Sequence, residues 1–196
     1  MTKWLSCALR CHKVGGYDII AVIEAGERGA MRVLGIDPGY AIMGYGAVEY
    51  KNHRLVPIGY GVVTTKPKTP LEQRLLLIDR GLDEIIERWR PGAVAVEKLF
   101  FISNQKTAID VAQARGVVLL RAASLGLPVF EYTPLQVKQS VVGYGRAEKR
   151  QVMEMTRIML SLGELPKPDD AADALAVAIC HAHSAGRLLR EAAWKG

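Results

Sequence analysis

Cysteine is scarce in this chain. Three cysteines among 196 residues are too few and too unevenly placed for a disulfide framework. Cys7 and Cys11 lie four apart with His12 alongside, but a zinc site needs further ligands and none lies near in sequence. Cys180 falls in an apolar helical pattern and reads as plain core. No apolar run reaches the roughly 20 residues that a membrane span requires. Internal repeats are missing, and so are Gly/Ser-rich and Pro-rich tracts. A disulfide scaffold and a membrane-spanning chain are thereby excluded, and the expectation is a cytoplasmic protein.

What is present suits one folded domain. Hydrophobic residues make up 49% of the chain, too many for a disordered segment, and the length allows a sizeable core. The formal net charge is +6 and the sequence pI about 9.3. That balance favours a polyanionic partner.

Residues 1–30 differ from the rest. They hold a short apolar patch flanked by Lys3 and Arg10, with no small-residue cleavage site after it. The pattern changes abruptly at Met31, which predicts that Met31 is the natural start. Residues 1–30 would then be an upstream extension, poorly ordered and dispensable. Residues 31–184 would form the folded domain and 185–196 a basic, mobile tail.

Within the domain, 31–37, 42–50 and 54–64 read as three strands in an antiparallel meander, turned at Asn52-His53. Leu71, Leu75, Ile78, Leu82, Ile85, Ile86 and Trp89 recur at helical spacing, and Pro91-Gly92 stops that helix. Ala93-Val94-Ala95-Val96 is a short apolar strand ending on Glu97. A loop with Phe100 and Phe101 leads to a helix over 107–124. Residues 128–132 form a fifth strand. Thr133 caps a further helix with Pro134 at its first position. A flexible Gly143-Tyr144-Gly145 loop and a helix over 147–160 follow. The last helix begins near Asp169-Asp170, where acids suit the dipole. The order β-β-β-α-β-α-β-α-α-α predicts an α/β fold: a mixed five-stranded sheet, three antiparallel strands first, flanked by helices.

Acids occupy telling places. Asp37 ends the run Val33-Leu34-Gly35-Ile36 and is followed by Pro38-Gly39. A turn aspartate commonly bonds its own backbone. But an acid at the end of a buried strand is costly to desolvate unless a cation or donors compensate it. Glu97 repeats that layout. Asp170 and Asp173 share a helix face, and Asp173 sits in an alanine-rich stretch that must pack closely. Asp169 reads as a cap and dipole partner. If Asp37, Glu97, Asp170 and Asp173 meet, Mg²⁺ suits them, because it takes a few carboxylates and keeps positions for water and phosphate. Two such ions about 4 Å apart stabilise both oxygens of an in-line displacement at phosphorus. Carboxylates clustered in a basic protein point to phosphodiester hydrolysis on nucleic acid.

These residues carry a family resemblance. Gly35-Ile36-Asp37-Pro38-Gly39, Val94-Ala95-Val96-Glu97, Gln113-Ala114-Arg115-Gly116, Val137-Lys138-Gln139 with Val141-Val142-Gly143, Ala147-Glu148-Lys149 and the run from Asp170 to Ala176 resemble the bacterial RuvC family of Holliday-junction resolvases over about residues 31–184. The resemblance implies an RNase H-like fold and a homodimer. It also implies Mg²⁺-dependent nicking of two symmetric strands of a four-way DNA junction in recombination and repair. In that reaction a water activated by two metal ions attacks the phosphodiester and leaves 5′-phosphate and 3′-hydroxyl ends. By motif position Asp37, Glu97, Asp170 and Asp173 take the catalytic, metal-binding places, two Mg²⁺ per subunit with Mn²⁺ as an alternative. Some family members carry histidine where this chain has Asp170. Lys138 and Lys149 match DNA-contacting bases, and Phe100 matches an aromatic that stacks on a junction base. The branch-migration proteins RuvA and RuvB are implied as partners.

A surface lysine alone is usually just solvated, but beside a metal site on a polyanion, counterion release makes it useful. Phe101 reads as the core member of its pair, and His181 and His183 as structural or solvated. Ala108, Val111, Ala112, Ala114, Arg115 and Val118 form the candidate dimer face. Rival readings are an RNase H-like nuclease acting on ribosomal RNA, an actin- or Hsp70-like ATP-binding module, and a non-catalytic junction-binding protein. The second needs a far longer chain, and the third would face DNA with four uncompensated acids.

Overall fold

Five segments of the chain have the composition and alternation of buried strands, and all five pair. The structure, a computed structural model, describes residues 30–98 and 105–194 and two short strands, Lys13–Val14 and Tyr17–Asp18, which pair antiparallel. Side chains are described for 30–98 and 107–185. Phe100, Phe101 and most of the expected extension lie outside the described residues.

Strands β1 (Ala30–Asp37), β2 (Ile42–Lys51) and β3 (Arg54–Thr64) form the antiparallel meander. Helix α1 (Leu71–Trp89) follows, then β4 (Ala93–Glu97), α2 (Gln105–Ser124) and β5 (Val129–Tyr132). Helices α3 (Pro134–Val142), α4 (Lys149–Met159) and α5 (Asp169–Trp194) complete the order. The sheet runs β3-β2-β1-β4-β5, with β4 parallel to both its neighbours.

The two faces of the sheet are buried under different helices. Leu34, Ile36, Val94 and Val96 join the core made with Ile78, Leu82, Ile85 and Ile86 of α1 and Ala114, Val118 and Ala122 of α2. Val33 and Ala95 join the core made with α3, α4 and the alanine-rich α5. Strand side chains alternate faces. Asp37 therefore projects on the side of Val33, and Glu97 on the side of Ala95, so both acids belong to the α5 face.

Glycine lets α5 lie flush on that face. A Cβ on Gly35 would come 2.1 Å from the Ala174 carbonyl oxygen, and one on Gly44 2.0 Å from that of Asp170. Neither strand could carry a side chain there without lifting the helix.

Three expectations change. Helix α5 continues to Trp194, past the boundary set at residue 185, because Gly186 costs only about 1 kcal/mol in a helix interior and no proline intervenes. Ala114 and Val118 face the chain's own core, so they belong to no dimer face; the outward positions of α2 include Ile109, Gln113, Gly116 and Leu120. The Gly143-Tyr144-Gly145 loop, expected to be flexible, is anchored at its start and just beyond its end. Gly143 adopts φ 92° as the α3 cap and donates to the Gln139 carbonyl, and Ala147 is buried.

Candidate active site

Two strand ends and one helix start meet at one end of the sheet. In the parallel β1–β4 pair Ile36 stands opposite Val96, so the next residues, Asp37 and Glu97, leave the sheet side by side. Helix α5 crosses the same face, and its first two turns present Asp170 and Asp173. The helix starts where it does because Pro168 cannot extend a preceding helix and its carbonyl accepts from Ala171 N–H at 3.0 Å.

The electrostatics show that these acids sense one another. Burial pushes the Asp37 carboxyl up to about 7, and the charges of Glu97, Asp173 and Asp170 push the same way, against Lys149. Burial likewise raises Glu97 to about 7, reinforced by Asp173 and opposed by Lys138 and Lys149. Asp173 is raised by burial, with Lys149 opposing. All four acids thus enter one mutual repulsion, centred on Asp37.

Among the described residues, Lys149 and Lys138 oppose that repulsion. The Lys149 ammonium, at the first position of α4, sits 3.1 Å from an Asp173 carboxylate oxygen and 3.2 Å from one of Asp169. Burial works to lower the Lys149 pKa, but its bonds to Asp173 and Asp169 outweigh burial and the net shift is upward. Asp169 thus pairs with Lys149 in addition to beginning the helix. Lys138, half-buried on α3, lowers the Glu97 pKa through space. Phe100 lies outside the described residues.

The set suits a hard divalent cation in its chemistry. It offers carboxylate oxygens only, with no thiolate or imidazole at the centre, which favours Mg²⁺ or Mn²⁺ over zinc. Among the described residues, however, no three His, Cys, Asp or Glu side chains are drawn together closely enough to form a finished ligand cluster. Asp173 is engaged by Lys149.

Behind the site lies a buried polar cluster. His181 Nδ1 and the Tyr132 hydroxyl are 2.8 Å apart, and the imidazole lies against Phe130 with ring centroids 4.4 Å apart. Burial pushes His181 down to about 4, so it is neutral and structural. Cys180 is buried, and burial pushes its thiol up to about 11.

Sequence reasoning missed the glycines that seat α5 and the engagement of Lys149. A glycine inside an apolar strand is the one signal that was readable.

A family model described as "Crossover junction endodeoxyribonuclease RuvC" matches residues 33–181. The chain belongs to the RuvC family. A curated member from Desulfitobacterium hafniense is 59% identical over 160 residues, covering 82% of this chain and 97% of that protein. One from Clostridioides difficile is 59% identical over 154 residues, covering 79% and 91%. Both carry the name crossover junction endodeoxyribonuclease RuvC. The solved structure of Thermus thermophilus RuvC in complex with Holliday junction substrate aligns with TM-score 0.75 and 42% identity, covering 79% of this chain and 94% of that one. A yeast mitochondrial Holliday junction resolvase shares the fold alone, at TM-score 0.62 and 13% identity. The family accounts for the sheet order and for helices on both faces: the fold is the RNase H-like one of these resolvases. No helix among the described residues is long and apolar enough to cross a membrane.

Proposed function

We propose that this chain is a Holliday-junction resolvase, a divalent-metal-dependent crossover junction endodeoxyribonuclease of recombination and repair. The observation that carries the site assignment is the electrostatic grouping of Asp37, Glu97, Asp170 and Asp173 at one end of the sheet. In this reading the four acids hold two Mg²⁺ ions per subunit, with Mn²⁺ as a substitute.

Bound metal would supply charge stabilisation at the scissile phosphate and make a water molecule a better nucleophile. The chain's own residues prepare for this. Burial and mutual repulsion raise Asp37 and Glu97 to about 7, and a bound cation would favour their ionised form. The strand ends fix Asp37 and Glu97 in the sheet, and α5 fixes the other two against it. Lys138 and Lys149 balance the acids and meet phosphate oxygens of the DNA, and Phe100 stacks on a junction base.

A homodimer supplies two such sites to a nearly two-fold substrate. Its support is the outward stripe of α2: Ile109 is 69% and Leu120 71% exposed, and the open space around Gly116 admits close approach. The positions 109, 113, 116 and 120 recur at the four-three spacing of a helix–helix seam, and a second copy of the same stripe is its natural cover. RuvA and RuvB are the partners proposed from family membership, and the cytoplasm is the proposed location.

The test is cleavage of a synthetic four-way junction, a linear duplex and an RNA hairpin in Mg²⁺. Paired nicks confined to the junction are expected. Cutting of RNA or linear duplex in preference to the junction would overturn the reading.

A further inference from the structure

The loop between α3 and α4 presents bases and an aromatic beside the candidate acids. Tyr144 is 46% exposed, and Arg146 and Arg150 are exposed. Both arginines flank the start of α4, which Glu148 caps. Lys149 lies between the two arginines in sequence and pairs with Asp173 and Asp169. Arg146 and Arg150 make no ion pair or side-chain hydrogen bond among the described residues, so their guanidinium groups are available.

The loop is also held in place. Gly143 caps α3, and the Leu135 side chain lies over Gly145. Ala147 is buried, and Glu148 with Gln151 forms a capping box that starts α4. A fixed platform loses little conformational entropy on binding.

We infer that this loop is a second DNA-contacting edge of the site. Arg146 and Arg150 bind backbone phosphates of one junction arm, and the Tyr144 ring packs on a sugar or base of the same strand. The inference rests on the resolvase reading and extends it to residues outside the metal site. Arg146 and Arg150 are positioning residues: they fix where the arm lies while the acids act on the scissile phosphate.

The experiment is fluorescence anisotropy of a synthetic four-way junction, without divalent metal, over a series of salt concentrations. The full chain is compared with R146A/R150A, Y144A and Y144F. Two lost phosphate contacts should make the slope of log K against log salt shallower by about 1.8. R146A/R150A should also bind at least tenfold more weakly at low salt. Y144A should bind about fivefold more weakly with the slope unchanged, and Y144F should bind like the unaltered chain. These substitutions fall on exposed side chains at three positions, so the melting temperature should hold. Unchanged affinity and slope in R146A/R150A would overturn the inference while leaving the resolvase reading intact. Unaltered affinity in Y144A would remove the aromatic contact. Failure of the unaltered chain to bind the junction would overturn the resolvase reading itself.

Discussion

Gly44 stands opposite Asp37 in the β1–β2 ladder and lies directly beneath the backbone of Asp170. One residue without a side chain thus connects a strand-borne acid to a helix-borne one. A Cβ there would meet the Asp170 carbonyl oxygen at 2.0 Å, and since that atom is backbone, the first turn of α5 has to move. Displacements of about 1 Å can cost about 100-fold in rate. Gly44→Ala should therefore lower junction cleavage at least tenfold, with partial recovery at high Mg²⁺ and a lowered melting temperature. Thermal melts and single-turnover rates across a Mg²⁺ series check this.

Metal-free stability should oppose function. An acid whose folded pKa is raised favours the neutral form in the fold. Its ionisation therefore costs nothing below the ordinary value of 3.8 and destabilises progressively as pH rises toward about 7. Each pH unit of such a rise corresponds to about 1.4 kcal/mol. Asp37→Asn should abolish cleavage. In EDTA at pH 8 it should melt higher than the unaltered chain, by at least ~1 kcal/mol of stability. Adding Mg²⁺ should stabilise the unaltered chain and leave the variant unmoved. Denaturant melts with and without Mg²⁺ provide the comparison.

His181 gives the opposite slope. Its folded pKa, about 4, lies below the ordinary 6.5. Between those values the unfolded chain takes up a proton that the folded chain refuses. The contribution is therefore complete above about pH 6.5 and is lost as pH falls to 4. His181→Gln should lose the Tyr132 hydrogen bond, worth about 1 kcal/mol, and flatten the pH dependence in that window. Urea midpoints measured from pH 4 to 7 for both proteins isolate the difference.

The outward stripe of α2 should hold two copies together. Ile109→Glu with Leu120→Glu places like charges along the seam and should give a monomer that keeps its fold. Sedimentation at micromolar concentration, with circular dichroism as the fold control, reads this directly. A variant that stays dimeric would move the interface elsewhere.

How far the sequence was legible follows from which residues carry a local signal. Asp37 and Glu97 are legible as acids that each end an apolar run, while their common face follows only from the pairing of Ile36 with Val96. Asp170 and Asp173 are legible as an i,i+3 pair. The α2 orientation was not. Ala108, Val111, Ala112, Ala114 and Val118 are small residues whose spacing fits more than one face, and only Ile78, Leu82 and Val94 packing against Ala114 and Val118 decides which is inside. Helix α5 carries buried residues on nearly every side, which erases its period and hides its end at Trp194. Lys149 reads as a solvated base until the fold brings Asp173 beside it. The contact of Gly44 with Asp170 joins distant segments, and nothing local encodes it.

The central claim is that Asp37, Glu97, Asp170 and Asp173 act as one cation-binding unit. Its most direct test is Mn²⁺ binding to the full chain, followed by electron paramagnetic resonance, for the unaltered protein and for D37N, E97Q, D170N and D173N. Each single substitution should weaken Mn²⁺ binding at least tenfold while the fold is kept. Variants that are folded and bind Mn²⁺ as the unaltered chain does would contradict the account.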